Sequence, residues 1–549
     1  MPLPANQTAW PPAELDQMRA KWDEWSAWYS SDTDALTDVY TSADADATRD
    51  GLARRAAKAV VRFFWGEKRR DLTKPAERKL HVPVAADLCQ ASADLLFSEP
   101  PTIRLDVPVV VGQDGKPAPE PENVARTRER LEEITGPALH KALASGAETA
   151  AALGGVYLRA MWDTSVAQHA FVTVVDYDAA WPEFRWGRLV AITFWSVVGR
   201  NGQTVIRHLE RHELDNLGVG VIFHGLYEGT DSNLGRAVPL TEHPATADLA
   251  TEVDEESKIS TLSPGLDVFH WENSTPNRRW RKHPLGKHLG RSDLDGIEPL
   301  MDAIDEAYTS LMRDVRLGKS MIIVPRGMLD SNGAGEGASF AQDEVYSPIN
   351  AAPGSAADSK LAIEKVQFSI RVQEHEQTIG ILWAQLIRSA GYSAQTFGEG
   401  SSVAATATEV WSKDRRSALS QGRKGRVVEP VLMDLVKKLL AIDAAVFRSG
   451  VDTSLPVDVE LADGVQPDVE ALARTAQLLS AAVAASIETR VRLVNPDKDE
   501  TWIGEEVERI KAENQLEPLA DPDTLGVDGA GLSGQFGGGE DGDTGDGEA

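Results

Sequence analysis

Carboxylates crowd one short stretch of this sequence: Asp295, Glu298, Asp302, Asp305 and Glu306 fall within twelve residues. Oxygen ligands so grouped could hold a divalent cation. Two acids could also flank a glycosidic bond as acid and base. No spacing selects such a pair, and helical carboxylates more often form a solvated face. Positive charge gathers downstream, where Arg415, Arg416, Arg423, Lys424 and Arg426 read as the most basic region of the chain. That group could meet nucleic-acid phosphate or pair with acids of neighbouring segments or subunits. His208 and His212 in "RHLERHE" stand four apart, on one side of a helix or of a strand. Their neighbours argue for a strand, with both rings at exposed ladder positions.

Enzyme signatures are missing. No GxxxxGK[ST], GxGxxG after a strand, HExxH, GxSxG or CxxC occurs. One cysteine, Cys89, and no clustered histidines leave no zinc-ligand pattern, so neither metal nor cofactor is expected. A lone cysteine forms no internal disulfide, which fits a reducing compartment. The formal net charge of −29 repels phosphate at long range and argues against a conventional duplex-binding domain. No run of about 18 apolar residues offers a membrane span, and "MPLPANQTAWPPAELDQ" has no secretory pattern.

The elements that must carry these side chains are legible in the periodicities. At 549 residues several domains are expected. "ELDQMRAKWDEWSAWYS" sets Leu15, Met18, Trp22, Trp25 and Tyr29 on one helical face, and "VPVAADLCQASADLLF" repeats the pattern before Pro100. Helices follow through Ala125 to Ile134 and from Pro137 to about Leu153. Short β-branched and aromatic runs from "VYLRAMW" to "GVIFHGLYE" then predict an antiparallel meander over 156–227. "STPNRRWRKHPLGKH" reads as a loop.

Beyond it, Ser292 could cap a helix that either kinks at Pro299 or restarts there. Met301, Ile304, Tyr308, Leu311 and Val315 form its apolar stripe, with the acids on the other side. "RVQEHEQTIGILWAQLIRSA" is a second helix of similar length. Between the two lies a small β-rich excursion, so the pair reads as an antiparallel stalk with a tip. A long helix runs from about Ala404 to Phe447, with Pro430 as a kink site. A helical unit follows, and the acidic, Gly-rich end from Pro518 is expected to be disordered.

Five strings appear in the order found in portal proteins of tailed double-stranded-DNA phages, and the chain resembles that family over about Trp65 to Glu513. They are "ERKLHVPVAADLCQASADLLFSEPPTI", "ALGGVYLRAMWD", "PLGKHLGRSDLDGIEPLMDAIDEAYTSLMRDV", "ATATEVWSKDRRSALS" and "PDVEALARTAQLLSAAVAASIETRVRLV". The resemblance implies an α+β multidomain portal fold closing into a ring, usually of twelve subunits. It implies a wing over 1–290 with the meander at 156–227, stem helices at 291–317 and 369–391, and a small β-containing clip at 318–368. A tunnel loop at 392–403, a long wing helix at 404–450, a helical crown at 451–517 and the tail at 518–549 complete the chain.

Such a ring would sit at one capsid vertex of the virion, after assembly in the host cytoplasm. Implied partners are the terminase large subunit, a head–tail adaptor, the major capsid and scaffolding proteins, and duplex DNA passing without sequence specificity; no membrane is involved. The five carboxylates would then line the channel, since lysines there would hold phosphate and acids repel it. The tunnel-loop candidates are Gln395, Thr396, Phe397, Gly398, Glu399, Gly400, Ser401 and Ser402, whose glycines suit a mobile segment. Competing expectations are a monomeric multidomain enzyme, such as a carbohydrate-active hydrolase, or a helical scaffold without a channel.

Overall fold

The computed structural model describes residues 3–46, 79–108, 119–317, 371–398, 407–461, 469–482, 484–495, 498 and 500–516, with short strands between 321 and 366. The chain divides into two units, Met1–Gln466 and Pro467–Ala549.

The first unit is built on helices α1 (Asp16–Ser30), α2 (Thr33–Asp46), α3 (Val84–Phe97), α4 (Glu122–Ile134) and α5 (Pro137–Leu153). Pro137 opens α5 at its first position, where a missing N–H costs nothing. Gly154 closes it at φ 100°, and a Cβ there would meet the Gly290 carbonyl at 2.7 Å. Only glycine serves both the left-handed turn and that approach. Trp22 and Trp25 of α1 are buried against α3 and the end of α5, as their spacing predicts; Trp28, outside the expected stripe, is buried with them, and Tyr29 is half-buried.

The β-rich region is two sheets rather than one meander. β2 (Gly155–Met161) pairs with β3 (Phe171–Asp176) and with β10 (Val268–Glu272), setting Val156 opposite Trp271. β4 (Ala180–Arg185), β5 (Arg188–Asn201), β6 (Thr204–Leu214), β7 (Val219–Thr230) and β8 (Asn233–Val238) form an antiparallel sheet, and β9 (Lys258–Pro264) also pairs with β7. Pairing between β2 and a strand over a hundred residues later has no local signature, so sequence periodicity merges the two sheets. β1 (Thr102–Leu105) pairs antiparallel with β16 (Val457–Glu460), near the unit's C-terminal end.

Two antiparallel helices, α6 (Glu298–Leu317) and α7 (Val372–Ala390), form the stalk, and α8 (Ala407–Val446) runs on through Pro430. Pro299 falls in the first turn of α6, so the helix starts afresh there and Ser292 lies outside it. The Ser292 hydroxyl instead donates to the Ala152 carbonyl (2.6 Å) and accepts from the Leu294 N–H (3.0 Å). Between the stalk helices, β11 (Met321–Pro325) is flanked by β14 (Tyr346–Ile349) and β15 (Glu364–Val366), while β12 (Asp330–Ser331) pairs with β13 (Ala338–Ser339).

The second unit holds α9 (Val469–Ala481), α10 (Ile487–Val494) and α11 (Glu500–Leu516), with Val491, Ile503 and Val507 buried together. Ser486 caps α10 by accepting from the Thr489 N–H (3.2 Å). The expected tail at 518–549 lies outside the described residues.

Candidate functional site

The stalk is zipped at its root by apolar packing. Met301, Ile304, Leu386 and Ile387 are all buried in one cluster, with Tyr308, Leu382 and Trp383 against it. At the far end Asp314 accepts from Arg371 Nη2 (3.0 Å) and pairs with His375 Nε2 (3.0 Å). These hydrogen bonds, His375 first, hold the Asp314 carboxyl below the usual range.

The carboxylates of α6 divide sharply. Asp305 is 1% exposed: it accepts from the Val82 N–H (2.9 Å) and pairs with His81 Nδ1 (2.9 Å). Glu298, also buried, accepts from Trp25 Nε1 (3.0 Å) and the Gly296 N–H (2.7 Å). Asp295 is clamped by Arg279 Nε at 2.5 Å. Asp305 and Glu298 are thus buried within the subunit, and Asp295, half-buried, is paired there. Residues 79–83, far away in sequence, lie along the face that the pattern assigns to solvent. Asp302 pairs with Lys79 yet stays partly exposed, and Glu306 is exposed without an ion pair among the described residues.

Lys424 departs from expectation in the same way. Arg415, Arg416, Arg423 and Arg426 are exposed on α8, but Lys424 is 6% exposed. Its ammonium donates to Asp293 Oδ2 (2.5 Å), Ser92 Oγ (2.5 Å) and Tyr392 Oη (3.1 Å). Tyr392 Oη donates to the same Asp293 Oδ2 (2.7 Å), and Asn273 Nδ2 donates to Oδ1 (3.0 Å). Burial, then Asp293, pushes the Tyr392 phenol well above its usual range, so it remains a donor. One buried ion pair thus joins α3, the lead-in to α6, the end of α7 and α8. Asp293 and Tyr392 carry no motif. The signal for the site is the phase of Ser417, Gln421 and Lys424, which continues the buried stripe of Val428, Leu432 and Leu435.

The base of the expected tunnel loop is hydrogen-bonded to α8. Gly391 ends α7 at φ 99°, and its carbonyl accepts from Ser420 Oγ (2.6 Å). Ser393 and Thr396 share hydrogen bonds with Ser417 Oγ (2.9 and 2.7 Å). Phe397 stands edge-on to Trp383 and Tyr392. Gln395 sits half-buried in the same short turn, and Gly398 ends it at φ 77°. Glu399, Gly400, Ser401 and Ser402 lie outside the described residues.

His208 and His212 are on β6 as expected, but neither is an exposed ladder position. His212 is fully buried, with Nδ1 at 2.7 Å from Asp267 and Nε2 at 2.7 Å from Glu210, which also accepts from Arg159 (2.6 Å). Burial lowers its pKa, but the two carboxylates outweigh that and raise it to about 9. His208 stacks on His224, and both are pushed down, chiefly by burial. No group of three metal-ligating side chains occurs among the described residues, and none of their helices is long and apolar enough to cross a membrane.

Two comparisons place this arrangement. No curated protein matches the chain. The family model for phage portal proteins, SPP1 Gp6-like, matches residues 12–517 of 549, from the aromatic helix α1 through the stalk and α8 to the last helix, so the chain belongs to the phage portal protein family.

Proposed function

We propose that copies of this chain, usually twelve in such rings, close into a channel at one capsid vertex. Double-stranded DNA is packaged through it by a terminase and later leaves by the same route. The family is a structural, non-enzymatic one and supports a phage portal function, which sets aside the hydrolase reading. What supports the ring is the stalk: Met312, Val315, Val372 and Ile381 are exposed along α6 and α7 of the lone subunit. Neighbouring copies would bury that apolar surface, at about 25 cal/mol per Å² removed from water.

In this reading α6 to α7 is the stem, the strands between them the clip, and α9 to α11 the crown. The clip end would meet the terminase large subunit and later the head–tail adaptor, while the wing would face the capsid and scaffolding proteins. Asp302, paired with Lys79 but partly exposed, and the exposed Glu306 are the acids that would face the bore.

Negative-stain imaging of the purified chain tests the ring. Closed particles with a central hole are the expected result, and uniform monomers would end this reading. Asp302→Lys with Glu306→Lys tests the bore separately. Single-channel recording should show DNA slowed or held in the doubly substituted ring. Passage at the unaltered rate would remove these two acids from the channel wall.

A further inference from the structure

Between Ser274 and Arg291 the chain carries six Lys or Arg and no Asp or Glu, in a protein of net charge −29. This loop, linking β10 to α6, carries one more cation than the Arg415–Arg426 stretch, which has five. Arg279 is consumed by Asp295 and Glu298. Arg278, Arg281, Lys282 and Lys287 are exposed and have no ion pair among the described residues. Arg291 is half-buried: burial, then the positive charge of Arg278, lowers its pKa, while Asp293 and Asp295 work against that.

The backbone beneath them is fixed. Trp280 is buried beside Trp22 and Trp25, with ring centroids 6.2 and 5.8 Å away. Asn277 Nδ2 donates to the Gly290 carbonyl (2.7 Å), the Arg291 N–H donates to the Ser274 carbonyl (2.8 Å), and His283 Nδ1 accepts from the Gly286 N–H (3.0 Å). The loop's large apolar side chains, Trp280, Leu285 and Leu289, turn into the core, leaving Pro276 and Pro284 exposed. Its outer face offers cations without the aromatic or aliphatic centre that protein interfaces use. A phosphate backbone asks for cations alone.

We infer that the 278–291 loop is a sequence-independent contact for the phosphate backbone of duplex DNA at the wing end of the stem. The choice of DNA as occupant rests on the portal reading; the competing occupant is an acidic face of a second copy of this chain.

The test uses the whole chain with Arg281→Gln, Lys282→Gln and Lys287→Gln combined, three side chains with no hydrogen bond or ion pair among the described residues. Fluorescence anisotropy follows binding to a short labelled duplex of arbitrary sequence, and sedimentation follows assembly. Affinity at about 100 mM salt should fall tenfold or more, and the log–log salt slope should drop by about 2 to 3. Arg185→Gln with Arg188→Gln, exposed at the β4–β5 hairpin, should change binding by less than about twofold. Wild-type affinity and slope in the triple variant would overturn the assignment. So would a triple variant that no longer assembles where the unaltered chain does, which would give the loop to the subunit interface. Failure of the unaltered chain to assemble counts against the ring alone, because the anisotropy still reports on the loop.

Discussion

Replacing Lys424 with methionine is expected to cost about 3–5 kcal/mol of stability, the range for removing one partner of a buried ion pair. Methionine nearly matches the lysine stem in length, so little packing is lost. What remains is Asp293, buried, with the hydrogen bonds from Tyr392 and Asn273 to hold its charge. The double variant Lys424→Met, Asp293→Asn should recover much of the loss, since it leaves no charge to strand. Urea denaturation of the two variants reads both effects. A Lys424→Met midpoint indistinguishable from the unaltered chain's would show the ammonium to be dispensable. Because the same pair fixes Tyr392, the variant should also loosen the turn at Ser393–Gly398, seen as faster amide exchange there.

His212→Phe should be comparably costly, again about 3–5 kcal/mol, because it strands two carboxylates rather than one. Phenylalanine fits beside Phe194, which already meets the imidazole edge-on. Asp267 and Glu210 would then face each other across an apolar ring, with Arg159 compensating Glu210 alone. The pH dependence has a definite sign. His212 binds its proton more tightly folded (about 9) than its usual 6.5. Its contribution is therefore complete below about 6.5 and fades as pH rises through about 9. Lys438, lowered to about 8 chiefly by burial, works in the opposite sense by shedding an unfavourable charge over the same range. Subtracting the variant's thermal midpoint from the unaltered chain's cancels Lys438. That difference should shrink between pH 7 and 10; a constant gap would mean that His212 is not the titrating group.

Periodicity served well where neighbours in sequence are also neighbours in space. The tryptophan stripe of α1, the stalk helices and the long α8 were all legible, because helical phase is a local property. It failed where a distant segment arrives. Nothing near Asp305 announces that His81 and Val82 will cover it, and nothing near Lys424 announces Asp293. Both residues nonetheless sit in the buried phase of their helices, Asp305 four after Met301 and Lys424 four before Val428. A charge in phase with an apolar stripe is a better sign of a buried pair than of an outward face. The acid-free loop at 274–291 was equally visible in the letters. Its significance lay in which of its cations go unpaired, and that depends on the fold.

The pairing of β1 with β16 bears on how the protein is made. Residues 102–105 have no strand partner until residues 457–460 leave the ribosome, roughly tens of seconds later at ordinary elongation rates. Throughout that interval the nascent chain exposes an open strand edge and the seat that α8 will fill. A message truncated before codon 457 should therefore yield a product that clumps or is degraded rather than a smaller working subunit.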